Sequence, residues 1–131
     1  MIGERVEKTS SSALTVIVSD VHIGNRYWQH DLFRRFLDAL PPGAALICNG
    51  DTWDRPGLRL APPHDNLFQR LVDESYRRSV TWVAGNHDAE LREQVPGAIR
   101  FVPWTMVNGD VLVLHGHFEI GGNIFHSSLF L

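Results

Sequence analysis

Val80-Thr81-Trp82-Val83-Ala84-Gly85-Asn86-His87-Asp88 is the stretch on which the fold turns. Its first half is a short apolar run rich in β-formers and closed by glycine, the pattern of a buried strand. Its second half sets a carboxamide, an imidazole and a carboxylate side by side where that strand ends. Gly-Asn and His-Asp are ordinary loop pairs, so the tetrapeptide gains weight only from company. Ser19-Asp20-Val21-His22 and Asn49-Gly50-Asp51-Thr52-Trp53-Asp54-Arg55 repeat the arrangement upstream, and Leu114-His115-Gly116-His117 follows downstream.

Outward from this stretch, the chain alternates strands and helices. Leu14 to Val18 and Ala44 to Cys48 read as strands buried on both faces. Gln29 to Leu40 reads as a helix with Leu32, Phe33, Phe36, Leu37 and Leu40 in one inward stripe, stopped by Pro41-Pro42-Gly43. Asp54 to Pro63 is an irregular loop. A second helix is expected from His64 to Arg78, with Leu67, Phe68, Leu71 and Val72 inward and Asp65, Asp73, Arg77 and Arg78 outward. Ala89 to Val95 reads as a short helix ended by Pro96-Gly97. Trp104 to Leu114 reads as a hairpin with a two-residue Asn108-Gly109 turn. The first three strands recur about every 30 to 35 residues, the length of a crossover unit. The expected fold is therefore α/β, with a sheet parallel at first and antiparallel later. Residues 1–13 are expected to be a flexible lead-in and residues 14–131 one domain. In such sheets the carboxyl ends of the strands share one rim, where ligands bind.

The 131 residues, 44% hydrophobic and 21% charged, suit a single soluble domain. A net charge of −3 shows no electrostatic footprint for nucleic acid. Two divalent cations would bring that balance to +1. The polar N-terminus lacks the apolar core of a signal peptide, and no run is long enough to cross a bilayer. The single Cys48 rules out an intrachain disulfide and fits a reducing, cytoplasmic setting. Cys48 itself reads as a small buried hydrophobe. His30, His64 and His126 read as surface residues, and Trp53, Trp82 and Trp104 as packing.

Carboxylate, imidazole and carboxamide oxygens gathered on one rim suit Mn²⁺, Fe or Zn²⁺ better than a soft metal. Asp20 and His22, two residues apart, would leave an extended segment on one face and share an ion. An aspartate at the neighbouring strand end can place one oxygen on each of two ions, the geometry that clamps a phosphoryl group. His87 reads as a proton-transfer or charge-stabilising group, pointing away from Asn86 in extended geometry and oriented by Asp54 or Asp88. Arg55 offers a fork of donors for phosphate oxygens.

The set Asp20-Val21-His22, Gly50-Asp51-Thr52-Trp53-Asp54-Arg55, Gly85-Asn86-His87-Asp88 and His115 resembles the calcineurin-like metallophosphoesterases. The resemblance implies a sandwich of two mixed sheets flanked by helices. It implies two divalent metal ions, Mn first with Fe and Zn as alternatives, and hydrolysis of phosphate esters or pyrophosphates. By position, Asp20 and His22 would bind the first metal, Asp51 would bridge, and Asn86 and His115 would bind the second. His87 would be the catalytic histidine, assisted by Asp54. Ser19 to Gly24 and the His-Gly block are similar to UDP-2,3-diacylglucosamine hydrolases, which often carry arginine at the position of His87. The family's closing Gly-His-x-His motif is absent before Leu131. A C-terminally truncated domain, a substitute ligand such as His117 or His126, and an impaired binding domain all follow as expectations. The expected partner is a phosphorylated small molecule or lipid-linked nucleotide, with peripheral membrane contact and self-association through exposed sheet edges both open.

Overall fold

The computed structural model describes residues 14–27, 29–54, 60–88, 91, 95–120, 123–126 and 129–130, those from residue 117 on as backbone alone. The expected lead-in, most of the expected 89–95 helix and Arg55 lie outside the described residues.

Four strands, β1 (Thr15–Val18), β2 (Ala45–Asn49), β3 (Val80–Val83) and β4 (Arg100–Val102), form an all-parallel sheet in the order β1-β2-β3-β4. Helix α1 (His30–Ala39) joins β1 to β2, and α2 (His64–Glu74) joins β2 to β3. β5 (Trp104–Val107) and β6 (Val111–Leu114) make an antiparallel hairpin, extended by β9 (Leu129–Phe130). β7 (His117–Ile120) and β8 (Asn123–His126) form a separate antiparallel pair. Among the described residues no helix is long and apolar enough to cross a membrane.

The period-2 alternation of the central strands shows why this is a sandwich. Leu46 and Cys48 of β2, with Trp82 of β3, pack with Phe33 and Leu37 of α1 and Leu67 and Leu71 of α2. Ile47 and Val83 leave the opposite face and pack with Val113 of β6. The parallel sheet is thus buried on both sides, by helices on one and by the hairpin sheet on the other, as its continuous apolar strands require.

Several expectations change in detail. Arg100–Val102 forms a fourth parallel strand, paired Trp82↔Phe101, where only the hairpin was expected. The hairpin turn does place Asn108 and Gly109 at positive φ, 54° and 80°. Its strands pair Val107↔Val111, however, so three residues rather than two lie between paired positions. Leu32 is 61% exposed and does not join the inward stripe of α1. Trp82 is buried, whereas Trp104 stands on the exposed face of β5. Helix α2 ends at Glu74, and Arg78 turns inward, its guanidinium donating to the Pro41 and Ala44 carbonyls at 2.9 and 2.8 Å.

Candidate metal centre

The carboxyl ends of β1, β2 and β3 lie along one rim, and the segments leaving them stay paired. Asp20 N–H donates to Gly50 O, His22 N–H to Asp51 O and Ile23 N–H to Thr52 O, at 3.1, 2.8 and 2.7 Å. This pairing continues past the regular strands and fixes Asp20 and His22 against Asp51. The cost is conformational. Asp20, His22 and Asp51 sit at φ 55°, 50° and 50°, in the left-handed region that disfavours Cβ-bearing residues by roughly 1–2 kcal/mol each. The only other non-glycine in that region, among the described residues, is Asn108 in the hairpin turn. Strain concentrated on three potential ligands marks a functional site.

Two groups of ligand atoms converge here, Asp20-Asp51-His115 and His22-Asp51-His87, each within 4.8 Å of one another. Asp51 belongs to both. Its Oδ2 is 3.4 Å from His115 Nε2 and 3.9 Å from His22 Nε2. Asp20 Oδ1 is 3.8 Å from His22 Nε2 and 3.9 Å from His115 Nε2. Among the described residues, neither carboxylate has a lysine or arginine within ion-pairing distance, although Asp51 is buried.

Each imidazole is oriented by an oxygen behind it. His115 Nδ1 donates to Asn49 O at 2.9 Å, His22 Nδ1 meets Asp54 Oδ1 at 3.2 Å, and His87 Nδ1 meets the Asp54 carbonyl. A carbonyl can only accept, so Nδ1 carries the proton in His115 and His87. The opposite nitrogen is then left for the site, the usual support for a metal-binding histidine.

The Gly85–Asp88 segment closes the site as a turn rather than extended chain. Asn86 and His87 consequently do not diverge as expected. The His87 N–H donates to Asp51 Oδ1 at 2.9 Å, and its ring meets the His22 ring edge-on at 4.7 Å. The Asn86 carboxamide faces the Asp51 carboxylate; half a turn about its last bond would let its nitrogen donate to Asp51 Oδ1 and Oδ2 at 3.2 and 3.0 Å. With the oxygen inward, the same group presents the atom that a cation takes. Two glycines make room: a Cβ on Gly85 would strike the Asp51 carboxylate, and one on Gly50 (φ 78°) the His115 ring.

Two supporting roles are corrected. The Asp54 carboxylate supports His22 and also accepts from Asn25 Nδ2 at 3.2 Å, while only its backbone carbonyl reaches His87. Asp88 does not orient His87. Fully buried, it accepts from the N–H groups of Gly85, Thr52 and Trp53 at 2.7, 2.6 and 3.2 Å and from Trp82 Nε1 at 2.8 Å. It thereby ties the loop after β2 to the loop after β3. Asn25 and Asn49 were not singled out from sequence; a buried asparagine closing an apolar strand is the available signal for Asn49. Arg55 lies outside the described residues. His117 opens β7 and pairs in register with His126 of β8, their side chains lying outside the description. Burial pushes the Cys48 thiol up to about 12, so it is a neutral core group and no nucleophile.

The donor set fits divalent cations: acceptor oxygens and imidazole nitrogens, with an aspartate common to two groups and no resident positive side chain among the described residues. The family model for calcineurin-like phosphoesterases matches residues 14–129, and the chain belongs to that family. No curated protein and no solved structure matches it.

Proposed function

We propose that the protein is a metal-dependent hydrolase of phosphomonoesters, phosphodiesters or pyrophosphates with a binuclear centre organised by Asp51. The observation that carries this reading is the membership of Asp51 in both ligand groups. Two divalent cations, Mn²⁺ first and Fe or Zn²⁺ as alternatives, supply a nucleophile at neutral pH and offset charge on the phosphoryl oxygens. By family position Asp20 and His22 serve one ion and Asn86 and His115 the other. The distances also support His115 sharing an ion with Asp20. His117 is the further candidate for that shell.

His87 completes the arrangement from the side of His22. Its Nδ1–H rests on the Asp54 carbonyl in either charge state, so the imidazolium can give up its other proton to the departing oxygen. Arg55, next in sequence to Asp54, is proposed to hold phosphate oxygens. The Ser19–Gly24 block favours a nucleotide-lipid pyrophosphate like UDP-2,3-diacylglucosamine, while His87 favours a simpler ester. The lone buried thiol supports a cytoplasmic setting.

The test is hydrolysis of bis(p-nitrophenyl) phosphate by purified protein with Mn²⁺, against Asp51→Asn and His87→Ala. Stimulation by the ion and a loss of about 10²–10³-fold in kcat for either variant are expected. Equal rates in wild type and both variants would overturn the reading. Two ions bound without turnover would mark a binding module of the same fold.

A further inference from the structure

Leu32, read from sequence as a core residue, is 61% exposed. It borders a groove of about 430 Å³ between α1 and the end of β1, walled by Val18, Phe33, Phe36 and Tyr27 and reaching Asp20. The Asp20 carboxylate, half exposed, is a member of a candidate metal group. The apolar wall therefore meets the ligand cluster at one residue, Asp20, in a groove of the size in which small ligands are held.

The wall is built rather than incidental. Phe33 and Phe36 stack at 5.4 Å. Tyr27, 77% exposed, is nonetheless held. Its N–H donates to Asn25 Oδ1 at 2.9 Å, and the Arg26 guanidinium lies 4.6 Å over its ring. Asn25 Nδ2 in turn donates to Asp54 Oδ1, the oxygen that supports His22. The Tyr27 backbone is thus linked through Asn25 to the carboxylate that supports His22, and its ring, left in water beside the groove, is placed to cover something apolar.

We propose that this groove seats the apolar substituent of a phosphate ester. The phosphoryl group lies at the Asp20 end, and an alkyl or aryl body lies along Tyr27, Leu32 and Phe36. The proposal rests on the phosphoesterase reading above and adds a substrate class to it. A protein strand added to the sheet edge is a poorer occupant, because Val18 alone of β1 lines the groove, which sits beyond the strand's end.

The test is calorimetric binding of octylphosphonate and methylphosphonate to the Mn²⁺-supplemented chain. The two probes share a headgroup and differ only in apolar length. Octylphosphonate is expected to bind at least about tenfold tighter, with the ratio collapsing towards one in Leu32→Gln and in Tyr27→Ser. Both side chains are exposed, so circular dichroism should show folded variants. Equal binding of the two probes, or a preference untouched by both substitutions, would overturn the groove and leave the phosphoesterase reading standing. Binding of neither probe would overturn both. Light scattering that shows a dimer broken by Leu32→Gln, with no octyl preference, would overturn the proposal by giving the groove to a second copy.

Discussion

Asp51 and Glu74 are both buried carboxylates, and they are treated in opposite ways. Glu74, at the end of α2, is closed in by its own cations: Arg70 Nε and Arg77 at 3.0 Å and Arg78 Nε at 2.7 Å. Arg70 also reaches Asp38 of α1 at 2.7 Å. Arg78 also holds the carbonyls that lead into β2, so the cluster clamps both helices to the sheet. Among the described residues, Asp51 faces imidazoles, a carboxamide, one backbone N–H and a second carboxylate, Asp20. A carboxylate that brings its own cations is scaffold. One buried among further acceptors is waiting for a cation from outside, since uncompensated burial of charge is costly.

The contrast can be broken most forcefully at Glu74. Glu74→Ala leaves three guanidiniums facing one another and should cost roughly 3–5 kcal/mol in urea unfolding, with the loss the same with or without Mn²⁺. Asp51→Asn should behave inversely. In chelator its unfolding midpoint should match or exceed that of the wild type. The gain of about 2.7 kcal/mol expected for wild type at a hundredfold excess of Mn²⁺ over Kd should vanish. If both variants respond alike to the ion, the distinction between the two clusters fails.

A finer test separates the carboxylate of Asp54 from its backbone. Asp54→Ala removes the support of His22 but leaves the carbonyl behind His87, so Mn²⁺ affinity should fall about 10–100-fold. At saturating Mn²⁺ the kcat should stay near that of the wild type, because the carbonyl behind His87 is retained. A loss as large as that of His87→Ala would show that the side chain supports both rings.

The smallest effect is the acid limb of stability. Burial pushes the Glu74 carboxyl up, but the Arg78 and Arg70 guanidiniums outweigh it and hold it below the ordinary carboxylate range. Its contribution is therefore complete above the unfolded value of about 4.3 and is lost as pH falls through the lower folded value. Urea midpoints of wild type and Glu74→Gln, compared from pH 6 downward, should converge in acid. A constant gap would rule out this linkage.

The order of the first three strands and the residues on their rim were legible because apolar runs ended in polar clusters at crossover spacing. Strand β4 was not. Arg100-Phe101-Val102 is too short to show a period and becomes a strand only by pairing with β3. Leu32 fits the helical stripe as well as Phe33 does, yet it is exposed where Phe33 is buried, a difference of tertiary packing that the stripe does not encode. Glu74 gave no sign in sequence because its three arginines, at i−4, i+3 and i+4, look like an ordinary solvated face until burial is known. Asp20, His22, Asp51 and Asn86 do gather as expected, but through left-handed backbone and a turn, not by the extended geometry from which their proximity was inferred. Asp88 was visible as a carboxylate and not as a junction, since the donors that make it one, the Thr52 and Trp53 N–H groups, lie about 35 residues away.

The left-handed backbone at Asp20, His22 and Asp51 also shapes which sequences this rim can explore. At φ near 50°, asparagine and glycine are the tolerated replacements, and β-branched residues are the worst. A library randomised at these three codons and selected only for folding would thus drift towards Asn and Gly, erasing charge while keeping the loops intact. Chemistry at this rim is inherited by selection against its own backbone preference, whereas the scaffold around Glu74 is kept by stability alone.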